Sequence, residues 1–207
     1  MRSLVLLLIF MTLPTLATAE PVTYRFTGAV TRLSGASVVP WFSLGDPFTF
    51  EVTVERTAHV VGGNKATAAQ YQLYATPFSG TIGKYAIEPA LGFVLQIGTD
   101  RVDYDVLGLR HDPCDYFRFF NLPPTQSIGP GVPNHFWLEL YDDNATVFDV
   151  AEPPRIMPDP GEFELRHFLI TYDPFAPPRE FVEVTLDAWT TPARSESWGR
   201  IKATYLR

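Results

Sequence analysis

Along most of the chain apolar and polar residues alternate one for one, the signature of β-strands with a single buried face. Tyr24, Phe26 and Val30 alternate with Arg25, Thr27 and Thr31, and Phe48, Phe50, Val52 and Val54 alternate with Thr49, Glu51 and Thr53. The same period recurs at Phe93-Leu95-Ile97, Val102-Tyr104-Val106, Phe117-Phe119, Phe136-Leu138-Leu140, Phe163-Leu165, Phe168-Ile170-Tyr172, Val182-Val184-Leu186 and Ile201-Ala203-Tyr205, which predicts roughly ten strands. Helical spacing is nearly absent, and a weak helix is expected only near residues 66–74.

Turn chemistry fills the gaps, at Gly45-Asp46-Pro47, Gly62-Gly63-Asn64 and Asp112-Pro113, and in proline-rich connections at residues 122–133, 152–161 and 173–178. Proline cannot donate to a ladder, so these segments are expected outside the sheets. Short strands punctuated in this way predict an all-β fold, an antiparallel two-sheet β-sandwich of jelly-roll-like form, because a parallel sheet would need crossover helices. At the C-terminal end, the segments flanking residues 190–197 match face for face when Trp189 opposes Trp198. Leu186 then meets Ile201, Val184 meets Ala203 and Val182 meets Tyr205, while Asp187 meets Arg200 and Thr185 meets Lys202.

The N-terminus follows another pattern. Arg2, an apolar run over residues 4–11, Pro14 and the small residues Ala17-Thr18-Ala19 are the parts of a cleavable signal peptide, expected to span 1–19. The apolar run falls short of the roughly 20 residues needed to cross a bilayer. Removing 19 of the 207 residues leaves 188, the length of a single domain at 20–207. No later run is long enough for a membrane anchor, so the expectation is a secreted or periplasmic protein. Loss of Arg2 takes the net charge from −7 to −8, and no Lys/Arg cluster offers a nucleic-acid surface. Cys114 is the only cysteine, so no internal disulfide can form, and a buried, inert thiol is expected.

Candidate chemistry is sparse. On the hairpin register above, Trp189 and Trp198 share the polar face, and two adjacent indoles can stack on sugar rings or be covered by another part of the fold. Trp137 falls on the polar side of its strand, between His135 and Glu139, with the same two readings. Asp142-Asp143-Asn144 and the pair Asp103 and Asp105 are oxygen-rich but lack EF-hand loop spacing, so no metal is assigned. His59, His111, His135 and His167 lack zinc-site spacing. There is no G-x-S-x-G elbow and no H-E-x-x-H helix, and no cofactor is expected. Glu162 and Glu164 share one face of an expected strand, the only arrangement that suggests a glycosidase pair.

The runs Tyr24-Arg25-Phe26-Thr27-Gly28-Ala29-Val30 and Leu44-Gly45-Asp46-Pro47-Phe48-Thr49-Phe50-Glu51-Val52-Thr53-Val54, with the later Phe136-Trp137-Leu138-Glu139-Leu140-Tyr141-Asp142, resemble small exported bacterial β-rich proteins of the PEP-CTERM type. That resemblance implies a secreted protein associated with envelopes and extracellular polysaccharide. It supplies no catalytic residues. The chain departs from the type in lacking a terminal Pro-Glu-Pro signal, apolar helix and basic tail. The expectation is therefore an exported, non-catalytic binding or matrix-associated protein that takes an extracellular glycan through Trp189, Trp198 and Trp137, or meets another envelope protein. The alternatives are a sandwich-fold glycan hydrolase or lyase and a structural, self-assembling envelope protein.

Overall fold

The computed structural model describes residues 21–54, 60–64, 66–73, 78–87, 93–121, 127–173 and 180–191. The expected signal peptide, the strand at 201–206 and Trp198 lie outside these residues. Eleven strands follow one another: β1 (Val22–Ser34), β2 (Pro47–Val54), β3 (Val60–Asn64), β4 (Ala68–Leu73), β5 (Phe78–Ile82), β6 (Tyr85–Ala86), β7 (Phe93–Tyr104), β8 (Arg110–Asn121), β9 (His135–Asp142), β10 (Leu165–Asp173) and β11 (Glu180–Thr190). The only helical element among the described residues is a 3-10 turn, Pro160–Glu162.

The all-β, antiparallel expectation holds, but the division into two sheets does not appear. Hydrogen bonding runs unbroken through all eleven strands in the order β3-β4-β7-β8-β9-β10-β11-β1-β2-β5-β6, and this one sheet curls into a half-barrel. Connection lengths demand the curl. From Leu73, which ends β4 near one edge, to Phe78, which opens β5 near the other, the chain can reach at most about 18 Å. The curl does what a second sheet would have done: Tyr24 of β1 meets Phe117 of β8 edge-to-face at 5.5 Å, and Phe48 of β2 meets Phe168 of β10 at 4.6 Å. Burying both faces of these aromatic pairs supplies the core that no disulfide supports.

Local departures from the sequence pattern have identifiable causes. Residues 68–73 form strand β4, not a helix, because Ala69, Tyr71 and Leu73 all face the core while Gln70 and Gln72 face away; the helix-favouring composition is overridden by a period of two. The segments predicted separately at residues 93–97 and 102–106 belong largely to one bent strand, β7, which turns at Asp100, a residue with φ of 49°. Asp112 and Pro113 lie inside β8, where three residues of β8 span two of β7, so the proline occupies a bulge rather than a turn.

One bulge decides the placement of a predicted site residue. Thr27 pairs with Ala188 but Gly28 pairs with Leu186, which leaves Asp187 as the extra residue in β11. Asp187 and Ala188 are both exposed, the alternation changes phase, and Trp189 turns to the core side. Gly28 permits this close approach, since a Cβ there would collide with the Thr185 carbonyl oxygen.

The hollow of the half-barrel is filled by the connection between β9 and β10, residues 143–164. Phe148, Ala151, Met157 and Phe163 of this strap are buried in the core. Proline-rich chain cannot pair its own backbone, so its carbonyls need outside donors. Three aromatic side chains of the inner wall provide them. Tyr71 Oη donates to the Ala151 carbonyl at 2.8 Å, Tyr24 Oη to that of Pro154 at 2.6 Å, and Trp189 Nε1 to that of Pro158 at 2.5 Å.

Candidate functional site

Two buried carboxylates fix where the strap begins. Asp142 accepts from the backbone of Asn144 at 2.8 Å and of Thr146 at 2.7 Å, and from Thr146 Oγ1 at 3.1 Å. Asp115 accepts from the amides of Asp100, Val147 and Phe148 at 3.0, 2.8 and 2.7 Å, while burial outweighs these donors and pushes its pKa up. Asp143 meets His111 Nδ1 at 2.6 Å, and Asp105 accepts from the Leu109 amide at 2.7 Å. The acids that looked oxygen-rich in sequence are thus engaged in holding loops, and no group of three or more His, Cys, Asp or Glu side chains among the described residues is arranged to hold a metal ion.

The two acids considered as a hydrolytic pair are also occupied. Glu162 belongs to the 3-10 turn, where it closes a capping box with Asp159, and Glu164 accepts from the Asp143 amide and the Asn144 side chain at 2.9 and 2.7 Å. Strand β10 begins only at Leu165, so the shared strand face that the sequence suggested does not form.

Of the three predicted tryptophans, Trp189 requires a correction. It is 8 % exposed, contacts Phe26 and Phe163 at 6.0 and 5.6 Å, and spends its N–H on the strap. Its hairpin with residues 198–205 is excluded along Val182 and Val184, because β10 occupies one edge of these residues and β1 the other. Trp198 lies outside the described residues.

Trp137 occupies the face that the sequence assigned to it, the outer one, away from the strap. It is half-buried and stacked on Phe120 of β8, with centroids 5.2 Å apart and planes inclined at 22°; the His135 ring lies 5.8 Å away. Trp137 Nε1 and His135 Nδ1 are both shielded from solvent and have no hydrogen-bond partner among the described residues. Burial lowers the His135 pKa, which keeps its ring neutral near pH 7. The result is an aromatic shelf with two unspent polar atoms.

Beside the shelf, outward-facing side chains form a ladder of alternating charge across six neighbouring strands. Arg118 Nη1 (β8) lies 2.9 Å from Asp103 Oδ2 (β7) and 3.9 Å from Glu139 Oε1 (β9). His167 (β10) places Nε2 3.0 Å from Glu139 Oε2 and Nδ1 3.5 Å from Glu183 Oε1 (β11), the latter an ion-pair contact rather than a formed hydrogen bond. Glu183 Oε2 lies 3.7 Å from Arg32 Nη1 (β1). Glu139 and His167 are buried, and exposure rises toward Arg32. Burial alone would lower the His167 pKa, but its hydrogen bond to Glu139, its close contact with Glu183 and the charges of both raise it overall; the same contact with His167 lowers the pKa of Glu183 against the effect of burial.

The turn between β7 and β8 covers part of this outer face. Val106 N donates to Glu139 Oε2 at 3.1 Å, and Tyr141 Oη reaches Asp103 Oδ2 at 3.0 Å and the Tyr104 carbonyl at 3.3 Å. Sequence reasoning missed this ladder because its members come from six separate segments. The only hint was that Arg118, Glu139 and Glu183 interrupt apolar alternation as single outward charges. It also passed over Trp41, which is 46 % exposed in the β1–β2 connection beside Val39 and Leu44. Comparison with known protein families, curated proteins and solved structures finds no match to the chain.

Proposed function

We propose that the protein is an exported, non-catalytic binding protein that takes an extracellular glycan on the outer face of its sheet at Trp137. The observation carrying this reading is the half-buried Trp137–Phe120 stack on the outer face of the sheet. A sugar ring offers aliphatic C–H groups to an aromatic face, and that is the contact this stack can supply. The formal charge of −7 favours neutral glycans over acidic ones. The non-catalytic part rests on the carboxylates. Asp115, Asp142, Glu162 and Glu164 accept from loop backbone, and Glu139 is locked in the ladder, so each is committed to the fold.

The test is a glycan array probed with the purified chain and with Trp137→Ala, alongside a reducing-end assay on every ligand retained. Retention that is lost in Trp137→Ala, with no reducing ends released, supports the reading. Retention indifferent to Trp137 removes the shelf as the site, and release of reducing ends restores the hydrolase or lyase alternative. A second reading, a self-assembling envelope protein, is favoured by the apolar loop carrying Val39, Trp41 and Leu44, of which Leu44 is 67 % exposed. Sedimentation showing concentration-dependent assembly that Trp41→Ser abolishes would select it.

A further inference from the structure

We propose that the β1–β2 connection is a membrane-contact tip, whose Val39, Trp41 and Leu44 enter the headgroup region of a bilayer of neutral, zwitterionic lipid. The inference does not depend on the glycan reading, which concerns Trp137 on the outer face of the sheet.

Residues 35–45 contain no charged side chain, in a chain of net charge −7. Val39, Trp41 and Leu44 are all exposed, yet the loop beneath them is firmly packed. Val38 and Phe42 belong to the core, and Phe42 meets Tyr85 at 5.3 Å. Gly129, in the turn ahead of β9, lies so close that a Cβ there would stand 2.6 Å from the Phe42 ring and 3.2 Å from Trp41 Cβ. That turn brings Val132, also exposed, to the same end of the sheet. The apolar side chains are thus held outward by the packing under them.

Backbone bonding narrows the kind of partner. Val38 N and Val39 N donate to the Gly35 carbonyl at 3.2 and 3.4 Å, and Trp41 N to the Val38 carbonyl at 3.0 Å. Ser43 N donates to Asp46 Oδ2 at 2.9 Å and Gly45 N to the Val30 carbonyl at 2.8 Å, while Pro40 has no N–H. These amides are spent within the loop or on β1, so the tip offers a partner its side chains more than a ladder edge. Backbone that enters lipid has to be satisfied in this internal way.

Area separates a bilayer from a second copy of the chain. Four side chains exposed to this degree present roughly 400 Å², so two copies face to face would bury about 800 Å², short of the ~1,000 Å² that a specific protein interface needs. Insertion into a bilayer has no such threshold and strengthens with the apolar area buried. The charges at the rim fit the same partner. Asp46 is turned back onto the Ser43 amide, and Glu180 accepts from Ser37 Oγ at 2.7 Å. Lys84 is exposed and lies 5.3 Å over the Tyr85 ring that packs on Phe42, where its cation can meet a lipid phosphate. Tryptophan suits this depth, with an apolar ring and one N–H for the headgroup layer. The net negative charge of the chain opposes an anionic membrane surface, so the favoured lipid is zwitterionic.

The experiment is flotation of the full chain with phosphatidylcholine vesicles, run beside the double variant Trp41→Ser with Leu44→Ser. A second readout is quenching of tryptophan fluorescence by brominated phosphatidylcholine, in the parent and in Trp41→Phe. The apolar run at residues 4–11 can bind lipid by itself, so each variant is compared with the parent. The double variant is expected to lower the partition coefficient about tenfold or more, with its unfolding midpoint little changed because both side chains are exposed. Trp41→Phe should lose most of the quenching. Trp137→Ala should leave the partition unchanged, which separates this tip from the glycan shelf. Equal partition of parent and double variant, or quenching that survives in Trp41→Phe, overturns the tip. So does concentration-dependent self-association without lipid that the double variant abolishes, because a second copy would then be what covers the loop.

Discussion

If the strap is held by donors from the inner wall, deleting a single hydroxyl should be felt in proportion to how completely its acceptor is buried. Tyr71→Phe removes only Oη from a fully buried ring and leaves the Ala151 carbonyl, itself fully buried, without that donor. An acceptor stranded out of reach of water costs about 1–3 kcal/mol. For a chain of this length each kcal/mol lowers the melting temperature by roughly 2–4 °C, so a fall of about 2–12 °C is expected. Tyr24→Phe is the internal control, because its acceptor, Pro154, is only half-buried and water can replace the lost donor. Its cost should stay near about 0.5–1.5 kcal/mol. The assay is thermal unfolding of both variants by circular dichroism, with amide exchange across residues 147–158 as the local readout. A Tyr71→Phe variant that melts within a degree of the parent, or one less affected than Tyr24→Phe, would refute the idea that burial of the carbonyl sets the cost.

Gly28→Ala should destabilise by about 1–3 kcal/mol, because its Cβ meets the Thr185 backbone rather than a yielding side chain; a denaturant midpoint equal to the parent's would show that the bulge can relax. The ladder predicts stability limits on both sides of neutrality. The raised His167 pKa contributes stability that is complete below pH 6.5 and is lost as pH rises through the folded value, whereas the lowered Glu183 pKa contributes stability present above pH 4.5 and lost as pH falls through its folded value. Melting curves against pH should lose their alkaline limb in His167→Gln and soften their acid limb in Glu183→Gln. Cys114 is fully buried, and burial, with Asp103 and Asp143 adding to it, pushes its thiol up to about 12. It should be silent to a thiol reagent at pH 8 in the native chain and react fully in denaturant; rapid native labelling would contradict its burial.

The candidate site was legible only in part. Trp137 could be assigned to the polar side of its strand because Phe136, Leu138 and Leu140 define the other side, and all three are buried as that alternation requires. Trp189 obeyed the same rule on paper and broke it in the fold, because one extra residue, Asp187, changes the phase of β11 opposite Gly28. A bulge belongs to a pair of strands, and neither strand shows it alone. The ladder was invisible for the same reason: Glu139 and His167 become neighbours only through the pairing of β9 with β10, and Arg32 joins them only because β1 closes on β11.

Alternation by itself determined that the chain is all-β, which residues of most strands face the core, and that Cys114 would have no partner within the chain. These are local properties, set by the two-residue period and by composition. Tertiary structure alone decided that the strands make one curled sheet, that a proline-rich connection fills its hollow, and that the outer face carries a charge ladder centred on one histidine. Those features depend on which edges meet and on what donors a carbonyl or carboxylate finds across the fold, and such partners are fixed by pairing in space rather than by order along the chain.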